Sequence, residues 1–319
     1  MLALLAMALP FASALVIPAG ARAAPHGPRA TTSMSATRRE FGLGAAAAAL
    51  AAGLPLRASA HEIKTVLVAG ATGQTGRRVL SRLAGAGNLV VSGGVRNPAS
   101  ASKALAEASI TVRGAMVQQV GVVDTAGVTL TKLDVVKDSV ATLTESLKGI
   151  DALVIATGFV PGNPFDMKKD ARAVDNLGTI ALVDAAKAAG VAKVVLVSSI
   201  LTNGRNWGQE KSPGFVVTNA FGGVLDEKLV AENYLRSSGL DYTIVRPGGL
   251  KSTPPSGTLV VSAEDTLNSG EISRDLVADV CVAALFDPNA SNKVVEIFES
   301  DTPGAVAPPK DKWFYGLKM

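Results

Sequence analysis

Val66-Leu67-Val68-Ala69-Gly70-Ala71-Thr72-Gly73-Gln74-Thr75-Gly76-Arg77-Arg78 is an apolar β-branched run, then a glycine-spaced turn, then the start of an amphipathic helix. Each glycine has its own physical reason. Gly70 permits a tight exit from a strand, Gly73 lets backbone approach a diphosphate, and Gly76 lets the helix lie close on the sheet. The free N–H groups at such a helix start face an anion, so Gly70, Thr72, Gly73, Gln74, Thr75 and Gly76 are expected to form a phosphate cradle.

Outward from this turn, β-branched runs alternate with Ala/Leu/Lys/Glu-rich stretches, the pattern of a parallel sheet covered by helices. Strands are expected at Thr65–Ala69, Leu89–Val95, Thr129–Leu133, Ala152–Ala156, Lys193–Ser198, Tyr242–Arg246 and Val294–Phe298. Helices are expected at Gln74–Ala84, Ala99–Glu107, Ser139–Leu147, Lys168–Ala189, Val224–Ser237 and Ser273–Phe286. The predicted fold class is therefore α/β: a doubly wound, mostly parallel Rossmann-type sheet with helices on both faces. Ser109–Gly127 fits this scheme poorly and reads as an insertion or an extra hairpin; Thr202–Phe215 reads as a linker.

The end of the second strand selects the dinucleotide. An acid there would hold a ribose 2′-hydroxyl, but the sequence is Gly93-Gly94-Val95-Arg96-Asn97-Pro98. Arg96 offers a charge-assisted grip on a 2′-phosphate, which favours NADPH over NADH. Arg77 or Arg78 either assists or is a surface arginine. In Leu133-Asp134-Val135, at the next strand exit, Asp134 either reads an adenine amino group or caps a helix.

Among 319 residues, 48% are hydrophobic and 18% charged, which excludes a disordered chain. One cysteine, Cys281, and two histidines, His26 and His61, supply neither an internal disulfide nor a soft-ligand metal set, so no metal site is expected. The net charge of +4 is carried by residues 1–60, with five Arg and one Glu. Beyond them 26 basic residues balance 26 acidic ones, giving no case for nucleic-acid binding.

Residues 1–60 read as a targeting region, with 61–319 as a single dinucleotide-binding domain carrying a small C-terminal substrate-side portion. An apolar, acid-poor leader is followed by Thr37-Arg38-Arg39-Glu40-Phe41, an Ala/Leu run and Ala58-Ser59-Ala60. The second part resembles a twin-arginine transfer peptide. Two signals in series imply a chloroplast transit peptide and routing toward the thylakoid. Lumen and stroma both stay open, because a lumenal protein would be separated from a reduced NADPH pool.

From His61 onward the chain resembles the atypical short-chain dehydrogenase/reductase family, in particular its plastid NAD(P)H-binding members and, more distantly, biliverdin and flavin reductases. The resemblance rests on GATGQTG at 70–76, Arg96-Asn97-Pro98, Leu133-Asp134-Val135, Ala156-Thr157-Gly158, Val174-Asp175-Asn176-Leu177-Gly178-Thr179, the strand ending Val197-Ser198-Ser199, Val245-Arg246-Pro247-Gly248-Gly249, and Ile272-Ser273-Arg274-Asp275. It implies that Ala156, Thr157 and Gly158 run along the cofactor's ribose side and that Ser198 or Ser199 lies beside the nicotinamide. Pro247, Gly248 and Gly249 would meet the carboxamide through backbone.

The family's carbonyl chemistry uses a Tyr four residues before a Lys that lowers the phenol's pKa. Here Lys228 is present, but Val224 stands at the Tyr position. Tyr234 and Tyr242 read as packing residues, as do Phe215, Phe221 and Trp313-Phe314-Tyr315. Trp207 reads as a loop anchor, with stacking on a planar acceptor as its other role. Two functions are compatible with this pattern. One is an NADPH-dependent oxidoreductase, with Ser198 and Lys228 as catalytic candidates, passing hydride to a flavin, tetrapyrrole or quinone-like acceptor. The other is a non-catalytic NADP(H)-binding redox-sensing or docking protein, associated peripherally with a thylakoid membrane or complex.

Overall fold

The structure is a computed structural model that describes residues 62–113 and 116–317. The expectations for residues 1–60 lie outside the described residues. The first half of the described chain runs β1 (Thr65–Ala69), α1 (Gln74–Ala84), β2 (Val90–Val95), α2 (Pro98–Ala106), β3 (Ser109–Arg113), β4 (Met116–Val120), β5 (Val128–Lys132), α3 (Val140–Ser146) and β6 (Ala152–Ile155). Then follow α4 (Met167–Ala171), a π-helix (Arg172–Gly178), α5 (Thr179–Ala189), β7 (Lys193–Val197), α6 (Pro213–Asn219), α7 (Val224–Ser237) and β8 (Asp241–Pro247). The last elements are β9 (Gly249–Lys251), β10 (Thr258–Ala263), β11 (Glu271–Ser273), α8 (Arg274–Phe286) and β12 (Lys293–Ser300).

Eight strands form one sheet in the order β10-β12-β8-β7-β6-β1-β2-β5. All pair in parallel except β10, which lies antiparallel on β12. The chain builds outward from β1 through β2 to β5, then crosses back to β6 and builds the other way. The reversal between β1 and β6 opens a crevice at the strands' carboxyl ends, where ligands of such sheets collect.

Alternation along the strands divides the core in two. Val66 and Val68 face a layer containing Leu80 and Leu83 of α1, Leu105 of α2 and Val277 and Cys281 of α8. Leu67 and Ala69 face Leu143 of α3, Leu182 of α5 and Leu235 of α7. β7 is buried along its whole length, which is why it is an unbroken apolar run after Lys193. Helix starts follow local chemistry: Asn97, Ser139, Ser212 and Ser273 cap α2, α3, α6 and α8 by accepting first-turn N–H groups.

Four sequence expectations need correction. The helix expected over Lys168–Ala189 is α4, a π-turn and α5, because Gly178 lets the chain pack against the Val135 side chain, where a Cβ would come within 2.8 Å. Within the expected linker, Ser212-Pro213 starts α6, whose Phe215 is buried with Ile200 and Leu201. Thr258–Ala263, unassigned in the sequence, is an edge strand. Phe221 and Tyr315 are 43% and 66% exposed, so they are not core residues, whereas Trp313 and Phe314 dock the tail into the first core layer. Ser109–Gly127 holds the antiparallel hairpin β3–β4, the second of the two readings.

Burial pushes the Cys281 thiol up to about 12, against the opposing charge of Arg82. Thiol reactivity requires thiolate. Cys281 is therefore expected to resist a disulfide reagent at pH 8 in the folded protein and to react fully in denaturant; stoichiometric labelling of the native protein would show that this layer opens.

Candidate functional site

The turn after β1 is held by backbone alone. Gly70 has φ +79°, and a Cβ there would lie 2.8 Å from the Ala156 carbonyl oxygen at the end of β6. A Cβ on Gly76 would collide with the Gly70 carbonyl, and one on Gly73 would stand 3.1 Å from the same oxygen. Gly70 and Ala71 both donate their N–H to the Gly94 carbonyl, at 3.1 and 3.2 Å, and Gly73 donates to Gly70 at 2.9 Å. The turn is thus stitched to β2 on one side and pressed on β6 on the other. Helix α1 starts with neither a capping side chain nor an acid in its first turn, so the Gln74, Thr75 and Gly76 N–H groups keep their donor capacity for an anion. Thr72 and Gly73 are exposed at its mouth. This cradle fits a dinucleotide diphosphate.

At the end of β2, Arg96 is exposed, and among the described residues its guanidinium has no hydrogen-bond or ion-pair partner. The neighbouring arginines are engaged. Arg77 donates to the Ala104 carbonyl at 2.6 Å, and Arg78 to Asp275 and the Gln74 carbonyl. Asp134 accepts the Val136 and Lys137 N–H groups, at 3.1 and 3.3 Å, and so closes its own turn, while Val135 packs on Gly178.

At β6 the Ala156 N–H donates to Ala69, and the Thr157 hydroxyl is buried with no partner among the described residues. The next segment ties to the π-helix: the Phe159 N–H donates to Asp175 at 3.1 Å, beside Gly158. The other Asp175 carboxylate oxygen pairs with Lys228 Nζ at 2.7 Å. Asn176 donates to Glu227 at 2.6 Å, while its own carbonyl oxygen is buried without a partner. An unpartnered hydroxyl, an unpartnered amide oxygen and an ion pair thus stand around the end of β6, beside the glycine turn.

No phenol joins Lys228. Val224 is buried one turn earlier; Tyr242 packs on the second core layer. Tyr234 is not the packing residue expected: it is 38% exposed, and its hydroxyl donates to Asp184. The Ser198 hydroxyl is buried and donates to Glu232 at 2.5 Å, whereas Ser199 is half-buried. Glu232 also accepts from Thr202 and from Arg246, which is fully buried and further held by Asp265 and Glu296. Although burial opposes its charge, the surrounding carboxylates, Glu232 foremost, hold the Arg246 guanidinium above its ordinary pKa. Pro247 and Gly248 are buried; the Gly248 and Gly249 N–H groups are already donated to the Ile297 and Gly270 carbonyls. The Pro247 carbonyl in turn accepts the Ile200 N–H at 3.0 Å, and neither glycine N–H of this segment is free for a carboxamide.

Asp175, Asn176, Glu232 and Arg246 carry no assigned role in the sequence reading. The signal of Asp175, Asn176 and Arg246 lies in two quoted motifs, Val174–Thr179 and Val245–Gly249, whereas Glu232 sits unmarked on α7, and contact with Lys228 and Ser198 arises only through the fold. Lys228→Met leaves a fully buried carboxylate unpaired, so a loss of about 3–5 kcal/mol is expected in denaturant titration. The double variant Lys228→Met/Asp175→Asn should recover most of it; a single-variant loss under about 1 kcal/mol would show the pair to be solvent-screened.

Residues 115–288 match the NAD(P)H-binding family. An uncharacterised chloroplastic protein of Arabidopsis thaliana is 44% identical over 243 residues, 75% of this chain and 78% of its own. The chloroplastic protein TIC 62 of Pisum sativum is 32% identical over 81% of this chain, which spans 47% of that protein. Sanguinarine reductase of Eschscholzia californica is 30% identical over 49% of this chain and 67% of that enzyme. The fold is shared with the oxidoreductase ylbE of Lactococcus lactis at a TM-score of 0.60 and 20% identity, covering 78% of this chain and 94% of that one. With its crevice between β1 and β6 and its glycine turn, the chain belongs to the NAD(P)H-binding Rossmann-fold family.

Proposed function

We propose that the protein is a plastid NADPH-dependent reductase that hands hydride to a planar small-molecule acceptor of the flavin, tetrapyrrole or quinone-like class. The observation that carries this reading is the collar at the β1–β6 crevice: a backbone-only turn with free helix N–H groups, flanked by an unpaired Arg96. Gly70, Thr72, Gly73, Gln74, Thr75 and Gly76 hold the diphosphate, Arg96 the 2′-phosphate, and Asp134 and Val135 flank the adenine side. Ala156, Thr157 and Gly158 border the ribose, and the Pro247 and Gly248 backbone borders the nicotinamide.

Bound NADPH supplies the hydride, so the protein's share of the chemistry is positioning and exclusion of water. The Asp175–Lys228 pair fixes Phe159 and the floor of the acceptor side. Ser198, whose proton points to Glu232, orders the end of β7 and supplies no proton directly. The acceptor's proton comes from solvent, which suits a ring system better than an isolated carbonyl. The reductase relative and the chloroplastic relatives support the activity class and the compartment.

A second reading, in which the protein binds NADP(H) as a redox-sensing or docking module on a thylakoid membrane or complex, is favoured by Val224 in place of a phenol and by the ion pair that occupies Lys228. NADPH oxidation measured against flavins, biliverdin and quinones separates the two. Turnover is expected; tight binding with no turnover for any acceptor would select the second reading. Arg96→Ala is expected to weaken NADPH about ten- to a hundredfold while leaving NADH within about twofold, and equal losses for both would remove the 2′-phosphate role.

A further inference from the structure

Farther along α1 lies a second cationic feature. Arg78, Ser81 and Arg82 share one face of the helix and, with Arg77, line a cavity of about 320 Å³. That volume is at the small end of the range for small-molecule sites. Its opposite walls are Val122 and Val123, which follow β4, and Ser252 and Pro254, which follow β9. None of these walls belongs to the crevice between β1 and β6.

Arg77 is only 4% exposed; one of its nitrogens donates to Ala104, but Nε is buried without a partner. Arg274 adds a fourth guanidinium, donating to the Leu250 carbonyl and Ser252. Burial and the like charge of Arg78 hold both Arg77 and Arg274 below their ordinary pKa. The carboxylates within the cluster are Asp275, shared by Arg78 and Arg82, and Asp279, paired with Arg82. Four guanidinium groups against two carboxylates leave two positive charges unmatched in a partly desolvated place. A dianion balances that charge, and guanidinium forks suit phosphate oxygens.

We propose that this cavity binds a small phosphomonoester, distinct from the dinucleotide, with its phosphate on Arg77, Arg78 and Arg82 and its carbon portion against Val122, Val123 and Pro254. The site does not depend on the reductase reading. Ser81 is exposed at the cavity wall and lies outside the cofactor cradle, so Ser81→Asp puts a negative charge into the cavity with little effect on the fold.

Calorimetric titration of glycerol 3-phosphate and of inorganic phosphate into the full-length protein, with and without saturating NADPH, tests the proposal. Saturable binding of the ester is expected in both conditions, tighter than inorganic phosphate, and weakened at least about tenfold by Ser81→Asp but not by Ser81→Ala. Arg96→Ala, which removes the group assigned to the cofactor's 2′-phosphate and lies outside this cavity, should leave ester binding in place, so failure of the cofactor reading and failure of this one are separable. Absence of ester binding, indifference to Ser81→Asp, or displacement by NADPH would overturn the site, and equal affinity for both anions would overturn its assignment to an ester.

Discussion

The structure depends on a backbone-to-backbone contact in which Gly70, Gly76 and Ala156 approach one another more closely than any side chain would allow. Because the Gly76 Cα lies against the Gly70 carbonyl, α1 starts directly over the reversal point of the sheet. Because Gly70 is in the left-handed region, the chain leaves β1 without filling the crevice. The same contact lets α1 lie flat enough to pack along α8 through Arg78, Arg82, Asp275 and Asp279. Each alanine-sized addition here would trade an open, uncapped helix start for steric overlap.

A second constraint acts at the other side of the sheet. Arg246, wholly buried on β8, joins Glu232 of α7, Glu296 of β12 and Asp265 of the loop after β10. Burying these charges is costly unless each is paired and hydrogen-bonded, and here Glu296 also accepts the N–H groups of Asp265, Thr266 and Leu267. The consequence for chemistry is direct. Ser198 and Thr202 turn their hydroxyls into this network, and Lys228 is paired with Asp175 of the π-helix while Val224 stands at the phenol position. The end of β7 therefore offers few free proton donors, which under the proposed reductase function suits hydride delivery to a conjugated ring.

Much of this was legible before any coordinates. The glycine turn, the parallel order of buried strands and the helices on both faces follow from local periodicity and spacing, and each expected strand falls within a residue or two of its place. Legibility failed where non-local packing decides conformation. The π-helix Arg172–Gly178 ends on a glycine against which Val135, far away in sequence, packs too closely for a Cβ. The edge strand Thr258–Ala263 is half exposed and pairs antiparallel, so it lacks the continuous apolar signature of its neighbours. α6 carried a readable Ser-Pro start that composition rich in Gly, Asn and charge obscured. The partners of Lys228 and Ser198 were hidden for a simpler reason: ion pairs across 53 residues and hydrogen bonds across 34 leave no mark in local sequence.

The central claim is that the first-turn amides of α1 receive the dinucleotide diphosphate. Amide-resolved NMR of labelled protein during titration with NADP+ tests it most directly. The account predicts that the Gln74, Thr75 and Gly76 amide resonances shift most, in step with saturation and together with those of Thr157 and Gly158. Saturable binding that leaves these resonances in place would contradict it.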